Sequence, residues 1–194
     1  MRIGIDIDGC ITNEDEYRRA FMDKYCLEKG YPYLDDPYGY EIKASWWTHK
    51  IEDDYRSLYQ ETYFRYAIVR YGCKEVLNRL KEEGHEIYLI TGRYPAFFDT
   101  EEGKKTRAIT REWLMKNEIP FDKLVFTGFP KTQYIKAENV DVMIEDYEGT
   151  IRDCVKEFPT YCFDNSYNRG LELENMTRIY SWYDFYRKFH ERQQ

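Results

Sequence analysis

Two aspartates separated by one residue stand near the start of the chain, directly after a short apolar run. Side chains at positions i and i+2 of an extended strand point to the same side, so the carboxylates of Asp6 and Asp8 can enter one crevice. Two carboxylates this close repel each other unless a cation or a proton lies between them. Mg²⁺ binds one or two carboxylates together with waters and phosphate oxygens, so this spacing favours metal-assisted chemistry on a phosphate. Gly9, which follows, allows a sharp turn and a close approach of an anion to the backbone.

A hydroxyl and two further acids follow other apolar runs in the same way. Thr91 comes directly after the run 86–90, and Glu145 with Asp146 stands at the end of the run 140–145. If these runs are parallel strands, their carboxyl ends meet at one edge of the sheet, where such folds bind ligands. The sequence therefore predicts one polar site that is assembled from distant segments.

Strand-like apolar runs alternate with amphipathic segments along most of the chain. We predict strands at 2–7, 86–90, 123–127, 140–145 and 160–163. We predict helices at 13–30, 41–70, 72–83, 106–117, 131–137, 150–158 and 181–191. Strands that alternate with helices indicate an α/β fold with a doubly wound, Rossmann-like parallel sheet that is covered on both faces.

Residues 13–70 interrupt this alternation between the first two strands. We interpret them as a small helical cap inserted after the first strand, with a core domain formed by residues 1–12 and 71–194. Three tyrosines of the insertion lie four residues apart, on one face of a helix: Tyr55, Tyr59 and Tyr63. That face either packs the cap helices against the core or forms an aromatic wall on which a flat group of a ligand stacks.

Taken in order along the chain, these residues resemble the four motifs of the haloacid dehalogenase superfamily. The run 6–12 is similar to motif I, and 89–93 is similar to motif II, whose hydroxyl holds the transferring phosphoryl group. Lys131 resembles the motif III lysine, and 144–146 resembles the acidic motif IV. Within the superfamily, dehalogenases lack the second acid and transport ATPases carry Thr there, so Asp8 favours phosphatase or phosphomutase chemistry.

Three segments are similar to the deoxy-type 5′-nucleotidase family: TGRYPAFFDTEEGKKTRAITREWL (91–114), FDKLVF (121–126) and FDNSYNRG (163–170). This resemblance implies a Mg²⁺-dependent phosphatase that hydrolyses a small phosphomonoester, with a 5′-(deoxy)nucleotide as the expected substrate. The alternatives are a phosphatase of another small metabolite, a phosphomutase, and a binding protein that kept the fold and lost turnover.

The resemblance also implies a role for each motif residue. Asp6 would attack phosphorus and form an aspartyl-phosphate, and Asp8 would protonate the leaving oxygen and then activate water. Mg²⁺ would be held by Asp6, the main-chain carbonyl of Asp8 and Asp146. The oxygens of the phosphoryl group would be bound by three donors, which are Thr91, the Gly92 amide and Lys131.

Several assignments stay open at this point. Lys136 competes with Lys131 for the motif III role, and Glu145 either reaches the metal through water or orients Lys131. We leave Arg93 outside the catalytic set, because it could equally be a solvated loop charge. The segment 167–170 resembles a substrate-side loop of the nucleotidases, and we assign it no contact.

Net charge and cysteine content indicate which binding partners and which cellular compartment to expect. The 194-residue chain has a net charge of −7, which argues against nucleic-acid polymers because proteins bind them mainly through Lys and Arg. No apolar run approaches the roughly 18 residues of a membrane span, so we expect no membrane partner. Five scattered cysteines without a CxxC pair indicate neither a disulfide framework nor a zinc site, and we expect a cytoplasmic protein. The sequence does not determine the oligomeric state.

Overall fold

The protein is built around a six-stranded parallel sheet. The computed structural model describes residues 1–34, 36, 38–40 and 44–192. The strands are β1 (Arg2–Ile5), β2 (Glu86–Thr91), β3 (Lys123–Phe126), β4 (Val142–Glu145), β5 (Thr160–Phe163) and β6 (Met176–Ile179). They follow the order β3-β2-β1-β4-β5-β6, and every neighbouring pair is parallel. The order reverses direction at β1, which confirms the doubly wound α/β fold predicted from the sequence.

Seven α-helices connect or flank these strands in the described part of the chain. They are α1 (Glu14–Lys29), α2 (His49–Tyr66), α3 (Cys73–Glu82), α4 (Glu101–Lys116), α5 (Thr132–Ala137), α6 (Glu148–Cys154) and α7 (Trp182–Glu191). Among the described residues, no helix has the length and the apolar character that a membrane-spanning helix needs. All five cysteines are buried thiols without a disulfide partner.

Several element boundaries differ from the sequence-based expectations, and one strand was not predicted. α4 begins at Glu101 rather than at 106, because the Thr100 side chain accepts a hydrogen bond from the Gly103 amide and caps the helix. The helix predicted over 41–70 is present as α2, and residues 41–43 lie outside the described part of the chain. The sequence did not predict β6, since this four-residue edge strand has a weak apolar pattern and forms by pairing with β5.

Both faces of the sheet are covered by helices. One face packs against α3, α4 and α7, through buried side chains that include Leu77, Leu114 and Phe185. The opposite face packs against α5 and α6, where Ile135 and Cys154 are fully buried. This double cover explains why the inner strands are apolar on both sides and leaves the carboxyl edge of the sheet as the place for polar side chains.

The segment between β1 and α3, residues 13–70, supplies α1 and α2, and we call it the cap segment. Its two helices pack through aromatic side chains, with the rings of Phe21 and Tyr59 stacked at a centroid distance of 5.2 Å. Tyr25, which is 1% exposed, places its ring edge against Tyr59. Tyr59 therefore packs the two cap helices against each other, whereas Tyr63 packs against the buried core cluster.

Candidate functional site

The carboxyl edge of the sheet and the cap segment enclose a cavity of about 520 Å³. Asp6 directly follows β1, Thr91 ends β2 and Glu145 ends β4, and these three strands are neighbours in the sheet. The structure brings together on the cavity wall all the residues that the sequence suggested for the site, namely Asp6, Asp8, Thr91, Gly92, Lys131 and Asp146. Residues from four distant segments thus face one space.

The turn that follows β1 places the two aspartates. Gly9 adopts a φ of +81°, a left-handed conformation that glycine tolerates best, and its amide donates to Thr12 Oγ1 at 3.1 Å. A Cβ atom at this position would lie 2.1 Å from Asp146 Oδ2. Only glycine therefore lets the backbone directly after Asp8 approach Asp146 so closely.

Lys131 lies at the centre of the acidic side chains. Its Nζ donates to Asp6 Oδ1 at 2.6 Å and to Glu145 Oε2 at 2.7 Å, and the residue is only 5% exposed. Burial alone would lower the pKa of Lys131, but the charges of Asp6 and Glu145 raise it well above its usual value. Lys136 instead pairs with Glu157 at the surface. The structure thus places Lys131 in the site and Lys136 outside it.

Three carboxylates, from Asp6, Glu145 and Asp146, each bring an oxygen within 4.8 Å of the others. Both oxygens of Glu145 already have partners, because Oε2 accepts from Lys131 and Oε1 accepts from the amides of Asp146 and Tyr147. Glu145 therefore orients Lys131 and the backbone after β4, which is one of the two roles left open for it. Asp6 and Asp146 keep oxygens that can bind a cation.

The charges of this cluster fit a divalent cation. Within the described residues, Lys131 is the one cationic side chain in contact with the three carboxylates, so three carboxylates and one ammonium give the cluster a formal net charge of −2. Burial and the neighbouring acids raise the pKa of Asp146 well above its usual value. Burial likewise raises the pKa of Asp6, although the Lys131 ammonium opposes this shift. Mg²⁺ between oxygen ligands would remove this repulsion.

The Thr91 hydroxyl fits an anionic ligand. Thr91 is 1% exposed, and its Oγ1 is buried without a hydrogen-bond partner among the described residues. A buried hydroxyl without a partner costs about 1–3 kcal/mol, so such groups are uncommon unless a ligand satisfies them. Because Thr91 lines the cavity beside Gly92, an incoming phosphate oxygen would satisfy this hydroxyl.

Two residues that the sequence reasoning missed hold the side chain of Asp8. Arg93 donates from Nε to Asp8 Oδ2 at 2.8 Å and from a terminal nitrogen to Oδ1 at 2.7 Å. The Tyr63 hydroxyl donates to the same Oδ1 at 3.0 Å. Arg93 is 3% exposed, so it is not a solvated loop charge, and its position two residues after Thr91 was the signal available in the sequence.

The C-terminal segment also reaches the site, although the sequence reasoning assigned it no contact. The Tyr167 hydroxyl donates to Asp146 Oδ2, and Asn168 Nδ2 donates to the main-chain oxygen of Asp146 at 2.8 Å. Tyr167 packs edge-on against Tyr40, and the guanidinium of Arg18 lies 5.1 Å from the centre of its ring. Asp146 is thus oriented by partners of its own, as side chains that bind metals commonly are.

The cap segment forms one wall of the cavity. Its aromatic lining consists of Phe21, Tyr40, Trp47, Tyr55, Tyr59, Tyr63 and Phe64. Its polar lining includes Glu52, Arg56 and Gln60. On the tyrosine face of α2, Tyr59 packs between the cap helices, while Tyr55 and Tyr63 are partly exposed and line the cavity.

Comparison with known proteins agrees with this geometry. The sequence model of the family described as 5′ nucleotidase, deoxy (pyrimidine), cytosolic type C protein matches residues 1–194. A Bacillus subtilis (strain 168) protein provisionally named nucleotidase YqfW is 28% identical over 186 residues, which cover 94% of this chain and 90% of that protein. A nucleotidase of Clostridium acetobutylicum is 27% identical over 195 residues, which cover 96% and 92% of the two chains.

Solved structures share the fold. The crystal structure of a predicted phosphatase from Clostridium acetobutylicum has a TM-score of 0.68 at 18% identity, and the match covers 98% of each chain. A haloacid dehalogenase-like hydrolase from Streptococcus pneumoniae has a TM-score of 0.67 at 13% identity, covering 100% of this chain and 98% of that one. Because the family match spans the chain and the fold is that of haloacid dehalogenase-like hydrolases, the chain belongs to the cytosolic type C, deoxy 5′-nucleotidase family and is a phosphoric monoester hydrolase of small phosphorylated substrates.

Proposed function

We propose that this protein hydrolyses 5′-(deoxy)nucleotides in a Mg²⁺-dependent reaction with an aspartyl-phosphate on Asp6. The observation that carries the proposal is the position of Asp6, which follows β1, accepts a hydrogen bond from Lys131 and lines the same cavity as Thr91, whose hydroxyl has no hydrogen-bond partner among the described residues. A nucleophile, a fixed ammonium and a free donor around one space are what transfer of a phosphoryl group requires.

Asp6, the main-chain carbonyl of Asp8 and Asp146 would hold the Mg²⁺. When bound, the ion supplies positive charge that offsets repulsion between the carboxylate nucleophile and the phosphate dianion. Glu145 lies beside this set and keeps its oxygens on Lys131 and on two backbone amides.

The protein's own groups would carry the two chemical steps. In the first step an oxygen of Asp6 bonds to phosphorus, the bond from phosphorus to the ester oxygen breaks, and Asp8 gives that oxygen a proton. In the second step Asp8 takes a proton from water, the water oxygen bonds to phosphorus, and the bond to Asp6 breaks. Lys131, Thr91 and the Gly92 amide would stabilise the charge on the three equatorial oxygens.

The division of the chain into a core domain (1–12 and 71–194) and a cap (13–70) is part of the same proposal. With residues 13–70 over the carboxyl edge of the sheet, the phosphate site would be shielded from bulk water during the first step. The aromatic side chains on the cap wall would stack on the nucleobase, and the polar side chains of α2 would contact its edge. A cavity of about 520 Å³ lies within the usual size of small-ligand sites.

We also propose a cytoplasmic location and no membrane or nucleic-acid partner. Five buried free thiols suit a reducing compartment, and the net charge of −7 opposes binding to nucleic-acid polymers.

The nucleophile assignment is tested by phosphate release with Asp6→Asn. The wild-type protein should release phosphate from an aryl phosphate when Mg²⁺ is present and should stop when the ion is chelated. Asp6→Asn should be inactive, whereas Asp53→Asn, at an exposed position of α2, should match the wild type. Undiminished turnover by Asp6→Asn would rule out Asp6 as the nucleophile.

The substrate assignment is tested with a panel of nucleoside 5′-monophosphates and sugar phosphates. We expect higher kcat/KM for the nucleotides and a loss of that preference in Tyr55→Leu, since stacking on an aromatic ring contributes about 1–3 kcal/mol per base. Tyr66→Leu is the matched control, because Tyr66 lies on the same helix but is 62% exposed and outside the cavity. Equal rates on nucleotides and sugar phosphates would reject the nucleotide assignment, and a requirement for a bisphosphate would indicate a phosphomutase.

A further inference from the structure

A side chain of the cap segment contacts the carboxylate that we propose as the acid/base. Tyr63 lies in the last part of α2, and its hydroxyl is 3.0 Å from Asp8 Oδ1 although the two residues are 55 positions apart. The same hydroxyl is 2.7 Å from Thr12 Oγ1, in the turn that follows β1. The contact between Tyr63 and Asp8 is thus a direct hydrogen bond from α2 to one of the two motif I aspartates.

The donors of this arrangement follow from the charge of Asp8. A carboxylate accepts hydrogen bonds, so the Tyr63 hydroxyl gives its single proton to ionised Asp8, and the Thr12 hydroxyl can donate to the Tyr63 oxygen or to the main-chain oxygen of Ile7 at 3.4 Å. Thr12 Oγ1 in turn accepts from the Gly9 amide at 3.1 Å. Burial and the charge of Asp8 raise the pKa of Tyr63 well above its usual value, so the phenol keeps the proton that it donates.

This chain of hydrogen bonds makes the two oxygens of Asp8 different. Oδ1 accepts from both Tyr63 and Arg93, whereas Oδ2 accepts only from Arg93 among the described residues. Oδ1 is therefore the anchored oxygen, and Oδ2 is the one with capacity left to face a substrate. A carboxylate that is anchored through one oxygen can still present the other to the oxygen of a leaving group.

We propose that Tyr63 is a positioning residue, which fixes Asp8 for proton transfer and couples the placement of the cap segment to that step. The inference rests on the proposed function, in which Asp8 protonates the leaving oxygen. If α2 moved away from the turn after β1, Asp8 would lose the donor that distinguishes its two oxygens, so acid catalysis would depend on the cap segment being in place.

Tyr63→Phe removes the hydroxyl and keeps the ring. The ring packs against Tyr17 and Phe64, with centroid distances of 6.0 and 5.8 Å, and these contacts persist in the variant. Tyr25→Phe is the matched control, because Tyr25 lies on α1 of the same cap segment, outside the cavity lining, and gives its hydroxyl to the Asp54 carboxylate at 2.9 Å.

The readout is the dependence of kcat/KM on the leaving group. An alkyl phosphate, such as glycerol phosphate, needs a proton on its leaving oxygen, whereas 4-nitrophenyl phosphate has a leaving group that departs with little help. We expect Tyr63→Phe to lower kcat/KM about 10–100-fold on the alkyl ester and less than about 3-fold on the aryl ester. Tyr25→Phe should change both values by less than about 3-fold.

Equal losses on the two esters would overturn the proposal, because a general loss of structure does not depend on the leaving group. A second measurement places Tyr63→Phe in an Asp8→Asn background, where it should cause no further loss on the alkyl ester. Additive losses would show that Tyr63 acts through another group. Both tests can use any alkyl phosphate that the wild type hydrolyses. They therefore remain valid even if nucleotides are rejected as substrates.

Discussion

Arg93 binds Asp8 through two parallel hydrogen bonds, from Nε to Oδ2 at 2.8 Å and from a terminal nitrogen to Oδ1 at 2.7 Å. The other terminal nitrogen of Arg93 donates to Thr110 Oγ1 at 3.2 Å, and the guanidinium lies over the rings of Phe64 and Trp113. The loop after β2 and the turn after β1 are therefore joined at the carboxylate proposed as the acid/base.

Arg93→Lys should lower kcat by about 10–100-fold, because a lysine keeps the charge but cannot make two parallel hydrogen bonds to one carboxylate. The melting temperature should fall as well, since the buried stacking contacts with Phe64 and Trp113 are lost. Steady-state kinetics and a thermal melt measure the two effects. Arg111→Lys, at an exposed position of α4, is the control, and wild-type kcat in Arg93→Lys would contradict a role in positioning Asp8.

The variants Lys131→Met and Lys136→Met should have very different kcat values. The first variant removes the donor to Asp6 and Glu145 and should lower kcat by about 10²–10³-fold, the usual effect of losing a donor aimed at transition-state charge. The second removes only a surface ion pair with Glu157 and should leave kcat within about 2-fold of the wild type. Measured rates in the opposite order would reverse the motif III assignment.

Mg²⁺ should stabilise the folded protein through Asp146. Binding to the folded state alone raises stability as the ion concentration exceeds Kd, so millimolar Mg²⁺ should raise the melting temperature of wild-type protein prepared in EDTA. Asp146→Asn should lose most of this increase, and Asp53→Asn should retain it. An undiminished increase in Asp146→Asn would place the ion elsewhere. This measurement does not depend on activity.

Glu14 should make the metal-free protein less stable as the pH rises. Burial and the charge of Asp8 raise the pKa of Glu14 from 4.5 to about 7 in the folded protein. Between these values the folded state holds a proton that the unfolded chain releases, so stability is lost as the pH increases through this window.

Glu14→Gln should therefore melt higher than the wild type at pH 8 in EDTA, by roughly 3–8 °C, and the difference should shrink to about a quarter of that at pH 5. Glu16→Gln, two residues away and exposed, should show no such pH dependence. A constant difference between Glu14→Gln and the wild type at both pH values would show that the pKa of Glu14 is not raised.

The order of strands and helices, and the acids and hydroxyl at the strand ends, could be predicted from the sequence. Apolar periodicity is local, and parallel strands necessarily bring their carboxyl ends to one edge. Those two facts were enough to suggest that Asp6, Thr91 and Asp146 meet. The edge strand β6 escaped prediction because its pairing with β5, rather than its own pattern, makes it a strand.

The tertiary structure alone decided which of the remaining polar side chains reach the site. The sequence favoured Lys131 over Lys136 from its place at the start of a helix, but only the packing of α5 against the sheet buries Lys131 and exposes Lys136. Arg93 and Tyr63 meet Asp8 across 85 and 55 positions of the chain. Such contacts depend on how a cap helix and a loop pack over the sheet, and no short-range sequence pattern specifies that packing. The alternation of a strand, by contrast, is specified by the residues of the strand itself.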